Sequence, residues 1–172
     1  MHPRILFLTG YMGAGKTTTG ELLAGLLDCQ FIDLDRKIEE REKCSVNEIF
    51  DTRGEHHFRE VERQTLESAV SGGEVVIATG GGCAIFNDNM EWMNEKGITI
   101  YLRCHPGTLF HRLAPEKMKR PLLKNLTDIE LMKHISSQLE IRRSFYEKAR
   151  LEVNAEFDPK TVAASIIQLL EQ

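Results

Sequence analysis

The chain has 172 residues, 41% of them apolar and 28% charged, which fits one ordinary globular domain with room for a sizeable core. Its 22 Lys and Arg against 26 Asp and Glu leave a net charge of −4, so neither nucleic acid nor an anionic membrane is an expected partner. No apolar run is as long as a membrane span and no leader pattern is read. Cys29, Cys44, Cys83 and Cys104 are scattered without a C-x-x-C pair, so reduced thiols and a cytoplasmic setting are expected.

Arg4 to Thr9 (RILFLT) is a short apolar run of strand type. Gly10-Tyr11-Met12-Gly13-Ala14-Gly15-Lys16-Thr17 follows at once and matches G-x-x-x-x-G-K-[ST]. Thr18 to Leu27 then reads as a helix. Strand, glycine-rich turn and helix in that order form a phosphate-binding loop, in which backbone N–H groups and a helix N-terminus face one anion. Lys16 can reach the β- and γ-phosphates, and Thr17 can offer its hydroxyl to Mg²⁺. A nucleoside triphosphate is the expected ligand.

Further along, Phe31–Asp33, Val75–Ala78, Ile98–Leu102 and Leu151–Val153 are strand candidates separated by helical stretches. That alternation predicts an α/β fold with a mainly parallel sheet covered on both faces. Ser45-Val46-Asn47-Glu48 and Thr127-Asp128-Ile129-Glu130 fit the capping box, and Asp158-Pro159 offers an N-cap with proline at the first helical position.

Asp33-Leu34-Asp35 closes the second strand candidate, where the carboxyl ends of an open α/β sheet line the ligand crevice. Strand alternation would turn both carboxylates to one side, one for the metal's water shell and one for an alcohol. The alternative is an Asp that caps the next helix. In Gly54-Glu55-His56-His57-Phe58-Arg59-Glu60-Val61-Glu62 most charges read as a solvated helix face. Arg59 beside Phe58 could instead be a carboxylate fork. Neither His56 nor His57 is read as a metal ligand.

Thr79-Gly80-Gly81-Gly82 follows a buried-type strand, and three glycines in a row call for a close backbone approach or a tight turn. Leu113 to Asn125 carries two prolines and four basic residues between helical stretches. It is either a plain exposed connection or a basic lid over phosphates, with Pro121 holding Arg120 on extended chain. The absence of an Asn/Thr-Lys-x-Asp guanine reader argues against a GTPase and leaves a small kinase.

Taken together, GYMGAGKTT, F-I-D-L-D, G-E-H-H-F-R-E-V-E, A-T-G-G-G, Arg112-Leu113, Arg120-Pro121-Leu122-Leu123 and Arg142-x-x-x-Tyr146 resemble the shikimate kinase family along nearly the whole chain. The resemblance implies a P-loop, nucleoside-monophosphate-kinase-like fold: three-layer α/β/α, a five-stranded parallel sheet of order 2-3-1-4-5 and a mobile lid. It implies transfer of the ATP γ-phosphate to the 3-hydroxyl of shikimate, with Mg²⁺. One domain is expected over residues 1–172, with a substrate region at about 33–62 and a lid at about 113–125.

By resemblance, Gly13, Ala14, Gly15, Lys16, Thr17 and Thr18 cradle the triphosphate. Thr17 binds Mg²⁺ and Asp33 acts on it through water. Asp35 grips the shikimate hydroxyls and assists deprotonation. Arg59 and Arg142 hold the carboxylate, Gly81 gives a backbone contact, Arg120 reaches the phosphates from the lid, and Arg112 lies against adenine. Lys16, Asp35 and Arg120 are the expected catalytic residues. The family's C-terminal adenine contact falls near Val153-Asn154-Ala155, without the arginine of some members. A gluconate kinase on the same scaffold and a non-catalytic member of the fold are the competing readings. A monomer is expected.

Overall fold

The structure is a computed structural model and describes residues 5–120 and 122–171. Arg4, expected to open the first strand, and Pro121, expected to shape the lid, lie outside the described residues. Five parallel strands form one sheet: β1 (Ile5–Thr9), β2 (Gln30–Asp33), β3 (Val75–Ala78), β4 (Ile98–Arg103) and β5 (Leu151–Asn154). Their order is β2-β3-β1-β4-β5, as the resemblance implies. The central strand β1 pairs with β3 through Leu6 and Val76 and with β4 through Leu6 and Ile98.

Helices α1 (Lys16–Leu27), α2 (Leu34–Glu42), α3 (Val46–Ala69), α4 (Asn89–Lys96), α5 (Pro106–Leu113), α6 (Asp128–Tyr146) and α7 (Pro159–Leu170) cover the two faces. Strand alternation divides the core between them. Leu6 and Leu8 of β1 pack with Leu23 of α1, Ile135 of α6 and Ile166 of α7. Ile5 and Phe7 pack on the other face with Ile38, Ile49, Leu66 and Met93. Each face therefore has its own apolar layer, which is why strands such as Val75–Ala78 are buried throughout.

Local signals set the helix ends. Ser45 accepts from the Glu48 N–H while the Glu48 carboxylate accepts from the Ser45 N–H, and Thr127 with Glu130 repeats the arrangement. Asp158 accepts from the N–H groups of Lys160 and Thr161 ahead of Pro159. Helix α1 begins at Lys16, two residues earlier than the apolar pattern suggests, because Gly15 serves as its N-cap at φ 90°. A side chain there would be strained, so glycine allows the loop to run directly into the helix.

One expectation needs correction. Asp33 and Asp35 do not share the face of a strand, because β2 ends at Asp33. The Asp33 carboxylate accepts from the Arg36 N–H and caps α2, so Leu34 and Asp35 already belong to the helix's first turn. Helix α3 is also bent, at Gly54 (φ 81°, ψ 170°), ahead of Arg59 and Glu62.

The chain leaves β1 toward β2 on one side of the sheet and leaves its neighbour β4 toward β5 on the other, so the carboxyl end of β1 lies at the switch point. Ligand crevices open at that place in α/β folds.

Candidate active site

The loop Gly10–Gly15 leaves the end of β1 and folds around its own lysine. Lys16 Nζ donates to the carbonyls of Gly10 (2.8 Å) and Tyr11 (3.0 Å). Burial lowers the Lys16 pKa to about 8, against the opposing pull of Asp35 and Asp33. Thr17 stands at the second position of α1, and its hydroxyl donates to Asp33 Oδ2 at 2.7 Å. Asp33 is thus the helix cap weighed as the alternative from the sequence, with one oxygen on α2 and the other meeting the phosphate-loop threonine. A hydroxyl and a carboxylate side by side are hard oxygen donors of the kind Mg²⁺ takes, with phosphates and waters completing its shell, so these residues fit the ion.

Beside this loop a cleft of about 430 Å³ is bounded by Gly13, Gly15, Thr18, Arg112, Phe157 and Pro159, among others. Arg112, from α5, spans it. Its Nη1 donates to the Gly13 carbonyl (3.2 Å) and its Nη2 to the Ala155 carbonyl (2.9 Å). This arginine ties the phosphate loop to the segment after β5, where the sequence had left the adenine contact open. Phe157, 58% exposed, is an apolar face in the same cleft that the sequence had not marked.

A second cleft, of about 460 Å³, lies on the other side of the loop and brings together Asp35, Arg59, Gly81, Arg120 and Arg142. These five residues come from α2, α3, the turn after β3, the segment after α5, and α6. Burial raises the Asp35 pKa, and the neighbouring Asp33 raises it further, while Lys16 opposes. Arg142 Nη1 donates to the Gly81 carbonyl at 3.3 Å, with its Cζ 5.2 Å from the Tyr11 ring centroid. Tyr146, fully buried, donates its hydroxyl to the same carbonyl at 2.5 Å.

Arg59 donates from Nη1 to Glu62 (2.8 Å) and from Nη2 to Glu55 (3.2 Å). Glu62 is 1% exposed, and burial pushes its pKa up to about 7 although Arg59 pulls the other way. The sequence reading passed over Glu62 as part of a solvated face. Its periodicity carried a signal, however. Phe58, Val61, Thr65, Leu66 and Ala69 form the buried stripe of α3, and Glu62 falls within it. A carboxylate at a core position needs a partner, and Arg59 lies one turn away.

The glycine triplet is explained by close approach. A Cβ on Gly80 would stand 2.9 Å from Asp35 Oδ1 and 3.2 Å from Glu62 Oε1, and one on Gly82 would stand 2.8 Å from Arg59 Nη2. None of the three has a positive φ, so a special turn is not the reason.

Between α5 and α6 a 3-10 helix (Ala114–Lys119) occupies the basic segment, and Arg120 follows it on extended backbone (φ −116°, ψ 108°). Extended backbone at Arg120 matches the expectation. The segment is not loose throughout, since Leu123 is fully buried in the core. His56 and His57 lie near Glu60 and Glu42 on the surface of α3.

Fold and site define a P-loop kinase, a phosphotransferase with two clefts that both border the phosphate loop. A family model described as shikimate kinase matches residues 12–171. The shikimate kinase of Bacteroides thetaiotaomicron is 48% identical over 168 residues, covering 97% of this chain and 96% of that protein. A crystal structure of shikimate kinase from the same organism superposes with a TM-score of 0.94 at 45% identity, covering 98% of this chain and 99% of that one. The structure of Acinetobacter baumannii shikimate kinase in complex with shikimate gives a TM-score of 0.89 at 33% identity, covering 99% and 94%. The chain belongs to the shikimate kinase family.

Proposed function

We propose that this chain transfers the γ-phosphoryl group of ATP to the 3-hydroxyl of shikimate, giving shikimate 3-phosphate and ADP on the route to chorismate and the aromatic amino acids. One observation carries the reading. Among the described residues, the buried side-chain atoms without a partner include Nε of Arg59, Arg120 and Arg142. All three arginines line the cleft that holds Asp35. Three guanidinium N–H groups without a partner in one cleft suit an anionic ligand of small-metabolite size, and a hydroxy acid beside a triphosphate meets that need.

In this reading the backbone from Gly13 to Thr18 receives the triphosphate and Lys16 follows the charge of the transferring group. Thr17 would hold Mg²⁺, with Asp33 acting through water, and the ion would neutralise phosphate charge. Arg112 lies on the adenine side. Arg59 and Arg142 grip the shikimate carboxylate, and the Gly81 backbone helps to seat the ring. Asp35 accepts the 3-hydroxyl proton as the new oxygen–phosphorus bond forms and the bond to ADP breaks. Its raised pKa suits a base that must take up a proton. Arg120 adds charge when the segment 113–125 closes and excludes water. The chain works as one domain, as a monomer in the cytoplasm.

The test is coupled ADP release with shikimate, gluconate and nucleoside monophosphates at equal concentration. Shikimate should give the highest kcat/KM by several orders of magnitude. A preference for gluconate or a nucleotide contradicts the proposal.

A further inference from the structure

We infer that Phe86 is a positioning residue for Arg59, its ring fixing the plane of the guanidinium so that the fork opens into the space left by Gly82. The inference deepens the acid-binding reading above and rests on it for its kinetic consequence.

Three rings surround the Arg59 Cζ. The Phe86 centroid is nearest at 3.6 Å, against 5.0 Å for Phe58 and 5.9 Å for Phe50. At 3.6 Å the cation is in direct contact with the ring face, where its attraction to the π-system is strongest. The direction of the fork follows from Gly82. A Cβ there would stand 2.8 Å from Nη2 and 3.0 Å from Nη1 but 3.3 Å from Cζ. A point closer to both terminal nitrogens than to the carbon between them lies ahead of the fork, so the fork faces Gly82, where any side chain would press on it.

Hydrogen bonds hold the guanidinium at its edge, and the ring holds its face. Glu62 and Glu55 hold the two Nη atoms, but Nε is buried with no partner. Turning about Nε–Cζ must break both of these bonds and also leave the stacked ring, so the ring adds to the restraint that the glutamates supply. Phe86 touches the arginine away from the cleft and is absent from the cleft's lining, so it acts through Arg59.

Phe86 is itself anchored from the same helix. Arg63, one turn beyond Arg59 on α3, donates from Nη1 to Asp88 (2.9 Å) and Asn89 (2.7 Å). Asn89 in turn donates its N–H to the Phe86 carbonyl (3.2 Å) and its side-chain amide to the Cys83 carbonyl (2.9 Å). The loop between β3 and α4 is thereby pinned against α3, with Phe86 over Arg59. Neither composition nor motif in the sequence marks Phe86 for this task.

Phe86→Leu, Phe86→Ala and Phe86→Tyr test the inference by steady-state kinetics and by ¹⁵N NMR of the arginine side chains in the ligand-free enzyme. Leucine keeps the bulk and loses the face, whereas tyrosine keeps both. In Phe86→Leu the KM for shikimate should rise about tenfold, a change of ~1.4 kcal/mol, while kcat and the KM for ATP stay within about twofold. Phe86→Tyr should behave as wild type. Rotation about the Arg59 Nε–Cζ bond should be slow in wild type and Phe86→Tyr and at least several-fold faster in Phe86→Leu and Phe86→Ala.

An unchanged shikimate KM in Phe86→Leu overturns the inference, and so does a parallel loss in kcat and both KM values. Equal rotation rates in wild type and Phe86→Leu also overturn it, whatever the acid substrate is. A Phe86-dependent rotation in an enzyme inactive on shikimate supports the positioning role and sinks the functional proposal alone.

Discussion

The two clefts that border the phosphate loop are built from different materials. The nucleotide side is shaped by one local run, Gly13 to Thr19, set by glycines and the start of α1, with Arg112 and the segment from Ala155 to Val162 opposite it. The acid side is mostly side chains from five separate segments, each needing support of its own. Arg59 needs Glu62, Glu55 and Phe86. Arg142 needs the Gly81 carbonyl and the Tyr11 ring. Backbone donors are held by the fold itself, so a cradle made from them tolerates side-chain change. Long charged side chains have rotamer freedom to lose, and only a packed surround keeps them in place.

Breaking the nucleotide side at its one indispensable side chain should have the largest effect. Lys16→Met removes the charge that follows the transferring phosphoryl group, and kcat should fall by ~10³ or more with circular dichroism unchanged. Asp35→Asn strikes the second cleft. It keeps the shape, loses the proton acceptor, and should lower kcat by roughly 10²–10⁴ with little change in ATP binding. If ATP affinity collapses while shikimate saturation is normal, Asp35 belongs to the nucleotide side.

The acid side should respond in KM instead. Arg59→Ala and Arg142→Ala should each raise the shikimate KM by on the order of ten- to a hundredfold and leave the ATP KM nearly alone. Lysine at either position should restore only part, since an ammonium lacks the planar fork.

The buried support beneath Arg59 should appear as a pH effect on stability. Glu62 has a pKa of about 7 in the folded chain against an ordinary 4.5, so the folded state holds the proton longer. Stability linked to this group is fully present below about pH 4.5 and is lost as pH rises through 7, an effect on the order of 1–3 kcal/mol. Denaturation curves for Glu62→Gln should lack that slope. An identical slope in wild type and Glu62→Gln would remove Glu62 from the account.

The same contrast explains what was legible in the sequence. All five strands, both capping boxes and the phosphate loop can be read locally, because each depends on periodicity or on neighbours within four residues. The Asp33–Asp35 region misled in geometry but not in place. Strand alternation predicted a shared face, whereas the capping bond from the Arg36 N–H to Asp33 turned the chain into helix. On the acid side, Arg59 as a possible fork, Arg120 as a lid arginine and the glycine triplet had local signals, but Arg142 and the convergence of all four entered only through resemblance to the shikimate kinases. No spacing rule brings α3 and α6 to one glycine turn. Glu62 was hidden among the charges of a helix whose buried stripe runs through it, and Phe86 had no local signature. Side chains that act by packing on other side chains become visible only in three dimensions.

The central claim, that the second cleft reads a carboxylate through Arg59 and Arg142, is tested most directly by comparing shikimate with its amide. Wild type should bind the acid by on the order of ten- to a hundredfold more tightly than the amide, the value of the charge-assisted contacts. Arg59→Ala and Arg142→Ala should bind both with similarly poor affinity, and the double variant should lose less than the two single losses combined, because both residues hold one group. Undiminished discrimination between acid and amide in the single variants would mean that the carboxylate is read elsewhere, and would contradict the account.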